Sequence, residues 1–175
     1  MHNLELKAVC RDLDHARAVC DSLGASFEWR RHQADYFYAC EPPLRLKLRI
    51  EDGESPMLIK YSRPDVQCAR ESDFEILVIP DCHAKVVAFF GDLLDVKGAV
   101  RKTRELYLFE GVRIHLDSVE GLGDFIEFEH PLSCEKAEDA AFRVDRLTAA
   151  FGIRREDIVG VAYFDLLYRG EQPAH

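Results

Sequence analysis

The sequence predicts an α+β fold built mainly on antiparallel β-structure, and three observations carry that expectation. Residues 3–9, 44–50, 57–61, 74–79, 104–109, 112–117 and 125–130 alternate apolar and polar side chains and are rich in Leu, Ile, Val, Phe and Tyr, the period of half-buried strands. Two gaps between these runs, Glu51-Asp52-Gly53-Glu54 and Glu110-Gly111, carry the turn residues of hairpins, which join antiparallel neighbours. Helical stretches lie between the strand runs, so both periods recur along the chain, and with these hairpin signals a parallel α/β sheet fits less well.

The first helix begins after an N-cap residue, Asp12, places Leu13, Ala16, Cys20 and Leu23 on one face, and stops at Gly24. A second follows Pro80-Asp81 and runs to about Leu94. The third starts near Ser133, sets Ala140, Val144, Leu147 and Phe151 on one stripe, stops at Gly152, and keeps the charges of residues 135–146 on a solvated face. The apolar segment from Val159 to Tyr168 is either a final strand or a short helix.

Composition bounds the function. A chain of 175 residues, 47% hydrophobic and 31% charged, supports one core, expected over residues 1–170, with 171–175 as a flexible tail. The net charge of −9 argues against nucleic acid or an anionic membrane surface as partner, so any bound anion needs a local basic cluster. Charges interrupt Met1–Lys7 where a signal peptide is apolar, and no stretch has the length of a membrane span, so a cytoplasmic location is expected. Six cysteines without a C-x-x-C pair read as free thiols. The Cys82-His83 pair, and His130 with Cys134, lack the further ligands of a zinc site.

The residues that alternate with the apolar ones are the informative feature. Side chains two apart on a strand share a face, so Asn3, Glu5 and Lys7 point one way; so do Arg45, Lys47 and Arg49, then Lys102 and Arg104, then Arg113, His115 and Asp117, then Glu127 and Glu129. Lys60 follows Ile59 in the strand after the first hairpin. A solvated sheet face explains any one strand. Segregation by sign is harder to explain that way, because three cations in a row repel one another unless an anion compensates, and Glu127 and Glu129 repel unless a cation does. A barrel closing these faces inward brings both clusters together, and a polyphosphate bridged to Mg²⁺ or Mn²⁺ would fill it. His115 is either a phosphate contact or a hydrogen-bonded structural histidine; Asp35 and Asp117 either orient basic residues or a metal-bound water, or simply end strands. Trp29, beside Arg30 and Arg31, reads as a surface or packing residue.

Six ordered blocks resemble the CYTH (triphosphate tunnel) superfamily, in particular its class IV adenylate cyclase-like and thiamine triphosphatase-like branch. They are Asn3-Leu4-Glu5-Leu6-Lys7, standing for an E-x-E-x-K motif; Gln33 to Tyr38; Arg45 to Arg49; Lys60; Val100 to Arg104; and Arg113 through Glu120-Gly121-Leu122-Gly123 to Glu129. The resemblance implies an eight-stranded closed β-barrel with helices packed outside. It implies Glu5, Glu127 and Glu129 as ligands of Mg²⁺ or Mn²⁺, with Lys7, Lys47, Arg49, Lys60, Lys102 and Arg113, together with Arg45 and Arg104, on the triphosphate. Catalysis would fall to Lys60, Glu5, Glu127 and Glu129. Asn3 replaces the motif's first Glu and offers a carbonyl oxygen without a charge. Phe37 and Tyr38 reverse the usual Tyr-Phe order, which turns the hydroxyl to the other face. The expected activity is metal-dependent hydrolysis of inorganic tripolyphosphate, thiamine triphosphate or a nucleoside triphosphate by a monomer or homodimer. The alternatives are cyclisation of ATP to cyclic AMP and pyrophosphate, and triphosphate binding with little turnover.

Overall fold

A computed structural model describes residues 2–41, 43–62, 68–132 and 137–168. The strands are β1 (His2–Val9), β2 (Ser26–Tyr38), β3 (Arg45–Glu51), β4 (Met57–Ser62), β5 (Arg70–Val78), β6 (Val96–Phe109), β7 (Val112–Val119) and β8 (Gly123–Pro131). They close into one antiparallel barrel in the order β1-β5-β4-β3-β2-β6-β7-β8, as the charge pattern and the resemblance led us to expect. The helices are α1 (Leu13–Leu23), α2 (His83–Leu93), α3 (Ala137–Ala150) and α4 (Tyr163–Tyr168). Among the described residues no helix is long and apolar enough to cross a membrane.

The barrel's apolar faces point outward, so its core lies between strands and helices. Leu6, Ile114, Leu116, Ile126 and Phe128 are buried beneath Ala16 and Cys20 of α1 and Val144 and Leu147 of α3. Leu48 and Tyr38 are buried with Val86 of α2. Both helical stripes read from the sequence therefore face the barrel. Asp12 caps α1 by accepting a hydrogen bond from the His15 backbone N–H, 3.0 Å, and Gly24 ends it in the left-handed region, with φ 73°.

Within the segment Val159–Tyr168 only Tyr163–Tyr168 is helix, and this α4 packs at one end of the barrel, while the Val159 backbone N–H donates to the Lys7 carbonyl of β1, 2.8 Å. Phe164 stacks on Phe37, and Tyr163 packs with Val100, Val119 and Phe125. Arg45 donates to Asp165, 2.7 Å, and the Tyr168 hydroxyl donates to the Ala99 carbonyl, 3.2 Å. Gly98, with φ 155°, lies against the Tyr168 ring where a Cβ would come within 2.6 Å of it, so the close approach of strand and helix needs glycine.

Both hairpins form as read, with Gly53 and the Glu110-Gly111 pair at positive φ. Strands β5 and β6 begin before their periodic runs, at Arg70 rather than 74 and at Val96 rather than 104, and β2 matches no run read from the sequence because its residues are polar on both faces from Arg30 to His32. Ser133, Cys134 and residues 171–175 lie outside the described residues; α3 is described from Ala137.

Candidate active site: a charged lumen

Strand parity decides what enters the barrel. On β3, Leu46, Leu48 and Ile50 turn outward against α2, which sends Lys47 and Arg49 inward. On β8, Ile126 and Phe128 turn outward, which sends Glu127 and Glu129 inward. Around the ring of eight, β8 stands directly across from β3, so a carboxylate wall faces a cationic wall. Between them lies a cavity of about 410 Å³, also lined by Asn3, Glu5 and Lys7 of β1, Lys102 and Arg104 of β6, and Arg113 and His115 of β7.

Two buried aspartates arrange the cations. Asp35 on β2 accepts from Arg49 Nε and Nη2, at 2.7 and 2.8 Å, and from Lys47 Nζ, 2.8 Å. Asp117 on β7 accepts from Arg104 Nε and Nη2, both 2.6 Å, from Lys102 Nζ, 3.2 Å, and from the Tyr163 hydroxyl, 2.9 Å. Burial alone would raise both carboxyls, but the adjoining cations outweigh it and hold them below the usual carboxylate range. The paired ammonium groups go the other way. Burial, followed by the charge of Arg49, brings Lys47 down to about 7, and burial with Arg104 lowers Lys102. The Tyr163 hydroxyl is raised well above its ordinary value by burial and by the Asp117 charge.

The carboxylate wall is electrostatically split. Arg104 reaches Glu127 at 2.6 Å and Lys7 lies 3.7 Å from it; against the upward push of burial, these cations hold Glu127 well below its ordinary value. Glu129 is raised by burial and then by the Glu127 charge. His115 is held well below its ordinary value by burial and by Arg104, so its imidazole is neutral. Ligand atoms of His115, Glu127 and Glu129 lie within 4.8 Å of one another. Hard carboxylate oxygens with one imidazole suit a divalent cation such as Mn²⁺.

A family model of the CYTH domain matches residues 1–157 of the 175. The chain belongs to the CYTH family. A curated relative, the "Putative adenylate cyclase" of Methanocaldococcus jannaschii, is 27% identical over 172 residues, which is 95% of this chain and 98% of the relative. The solved structure of the PH1012 protein of Pyrococcus horikoshii superposes with a TM-score of 0.82 at 22% identity, covering 94% of this chain and 98% of the other. A protein of Hippeastrum, whose structure is described as a putative adenylyl cyclase with a dominant triphosphatase activity, reaches a TM-score of 0.66 at 17% identity, over 98% and 97% of the two chains.

Most residues expected in the CYTH lumen are there. Glu5, Lys7, Lys47, Arg49, Lys102, Arg104, Arg113, Glu127 and Glu129 all line the cavity, and Asn3 lines it beside Glu5. Lys60 does not. Its neighbour Ile59 pairs with Lys47 and faces inward, so parity turns Lys60 outward, where it pairs with Glu75 of β5 at 3.0 Å on the exposed surface. The roles expected of Lys60 are therefore withdrawn. Arg45 sits at the α4 end, tied to Asp165, and Arg113 lies 3.6 Å from Glu129 with 43% of its side chain exposed. Tyr38 turns outward toward Phe90 while Phe37 lines the cavity, as the reversed order implies. Glu5 stands across from Glu129 on the neighbouring strand, outside the closest group of ligand atoms. Trp29 lines the cavity too, with the Arg31 guanidinium 4.6 Å from its ring centroid.

The residues that sequence reasoning did not assign are Gln33, Glu51 and Tyr163, which are buried lumen residues, and His115 as a member of the ligand group. Gln33 and Glu51 carry a readable signal, standing two residues from Asp35 and from Arg49 on their strands. Tyr163 carries none, because it arrives from a helix folded over the barrel end.

Proposed function

We propose that this CYTH domain is a metal-dependent hydrolase of a triphosphate-containing small molecule. The reading is carried by one observation, the facing of the cationic wall, Lys47 and Arg49, and the carboxylate wall, Glu127 and Glu129, across the barrel cavity. Lys47, Arg49, Lys102, Arg104 and Arg113 bind and orient phosphoryl oxygens, with Asp35 and Asp117 fixing four of these cations before substrate arrives. Glu127, Glu129 and Glu5 hold the divalent ion, Mg²⁺ or Mn²⁺, which when bound would neutralise charge developing on the phosphoryl group. Lys7, 3.7 Å from Glu127, keeps that carboxylate ionised and ready to ligate.

The alternative product, cyclic AMP, is favoured by the name of the archaeal relative. Cyclisation needs a nucleoside positioned for attack by its own 3′-hydroxyl; hydrolysis needs only water beside a held phosphate, and the lumen charges supply that holding. The test is incubation of the purified protein with tripolyphosphate, thiamine triphosphate and ATP, each with Mg²⁺ and with Mn²⁺, measuring phosphate, pyrophosphate and cyclic AMP. Metal-dependent phosphate release is expected. Cyclic AMP with pyrophosphate would replace hydrolysis by cyclisation; tight metal-dependent binding without product would make the protein a triphosphate binder. Absence of both turnover and thermal stabilisation by tripolyphosphate would reject the site altogether.

A further inference from the structure

His115 is the member of the lumen's ligand group whose role the charge pattern left open between a phosphate contact and a structural histidine. Its side chain is 7% exposed, and its Nδ1 is buried without a hydrogen-bond partner. Buried polar atoms are almost always satisfied, so an orphan calls for a ligand. The atom faces the carboxylates: Nδ1 lies 3.9 Å from Glu129 Oε1, and His115 pairs in register with Glu127 on the adjoining strand. A separation of 3.9 Å is too long for a hydrogen bond. It falls among the separations, roughly 3 to 4.4 Å, at which two atoms about 2.1–2.2 Å from one ion stand.

Resting on the metal-dependent reading above, we propose that His115 Nδ1 is a direct ligand of the ion held by Glu127 and Glu129, making a mixed nitrogen–oxygen site that selects Mn²⁺ over Mg²⁺. Two features support it. Asn3 removes one negative charge from β1, weakening the purely electrostatic hold on which a hard ion such as Mg²⁺ depends. An imidazole ligand compensates selectively, because first-row transition ions gain from nitrogen donors and Mg²⁺ does not. The β7–β8 pairing presets the nitrogen and the two oxygens, as Glu127 and Glu129 share a strand face and His115 stands on the adjoining strand across from Glu127.

The experiment is pulsed electron paramagnetic resonance on Mn²⁺ bound to the full chain with tripolyphosphate, using protein of natural isotopic composition and protein labelled with ¹⁵N-histidine. Nitrogen modulation of the bound Mn²⁺ that changes with the label is expected, and it should vanish in His115→Gln. Titration should show His115→Gln binding Mn²⁺ about tenfold or more weakly, with Mg²⁺ affinity changed less than about twofold. Bound Mn²⁺ without nitrogen modulation, modulation that survives in His115→Gln, or equal losses for both ions would overturn the proposal while leaving the metal-dependent reading standing. Failure of the wild-type protein to bind Mn²⁺ at all would overturn both. Should His115→Gln not fold, the isotope comparison on wild-type protein still decides.

Discussion

Lys47 lies 2.8 Å from Asp35, yet burial and the neighbouring Arg49 bring its ammonium down to about 7. A polyanion entering the lumen restores the missing charge, so binding and protonation are linked. At pH 7 the protein should take up about half a proton at this site when tripolyphosphate binds, and affinity should fall as pH rises through 7. Calorimetric titration in buffers of different ionisation enthalpy reads the uptake. Lys47→Arg, which stays charged throughout, should abolish that component and flatten the pH dependence. Asp117 sits at an opposite extreme, fully buried and holding Lys102, Arg104 and Tyr163 together. Asp117→Asn leaves two buried cations short of a counterion and should cost about 3–5 kcal/mol in urea unfolding. Tripolyphosphate should stabilise that variant more than the wild type; equal stabilisation would mean that Asp117 does not stand in for an anion.

Elements were legible in the sequence where one residue type settles a local conformation. Asp12 and Gly24 bound α1 where their chemistry places them, and both hairpins turn on the glycines that mark them. Asp12→Ala should lower stability by about 1 kcal/mol through loss of the cap at the His15 N–H, a change that equilibrium denaturation resolves. Legibility failed where local pattern and burial part company. Strand β2 lines a polar lumen on one side and meets solvent on the other around Arg30 and His32, so no apolar alternation marks it. Lys60 was misplaced because the strand around it is apolar on both faces: Ile59 faces the cavity while Leu58 packs outward with the α2 cluster. Parity relative to Lys47, which pairing supplies and sequence does not, was needed to orient it. Tyr163 belongs to a short helix whose apolar run fitted strand equally well, and only docking on Phe125 and Asp117 gives it a direction.

For the molecule as a whole, the buried titratable groups predict acid lability. Asp35, Asp117 and Glu127 are held below their ordinary values, so their contribution is complete above the unfolded carboxylate range, near pH 4, and is lost as pH falls below it. His115 is also lowered, so below about pH 6.5 the unfolded chain binds a proton that the folded one refuses, which again favours unfolding. Glu129, raised, contributes with the opposite sign and is most stabilising in acid, which offsets one of these groups. Denaturant titrations should therefore show stability declining from about pH 6.5 to 4 and more steeply below; greater stability at pH 4.5 than at pH 7 would contradict the charge arrangement.

The two ends of the barrel differ in character. The aromatic rings of α4, Tyr163 and Phe164, pack at one, while at the other Arg113 keeps 43% of its side chain in water. An anion arriving on the Arg113 side meets a hydrated cation at once, which raises its local concentration at that mouth before any contact deeper in the lumen.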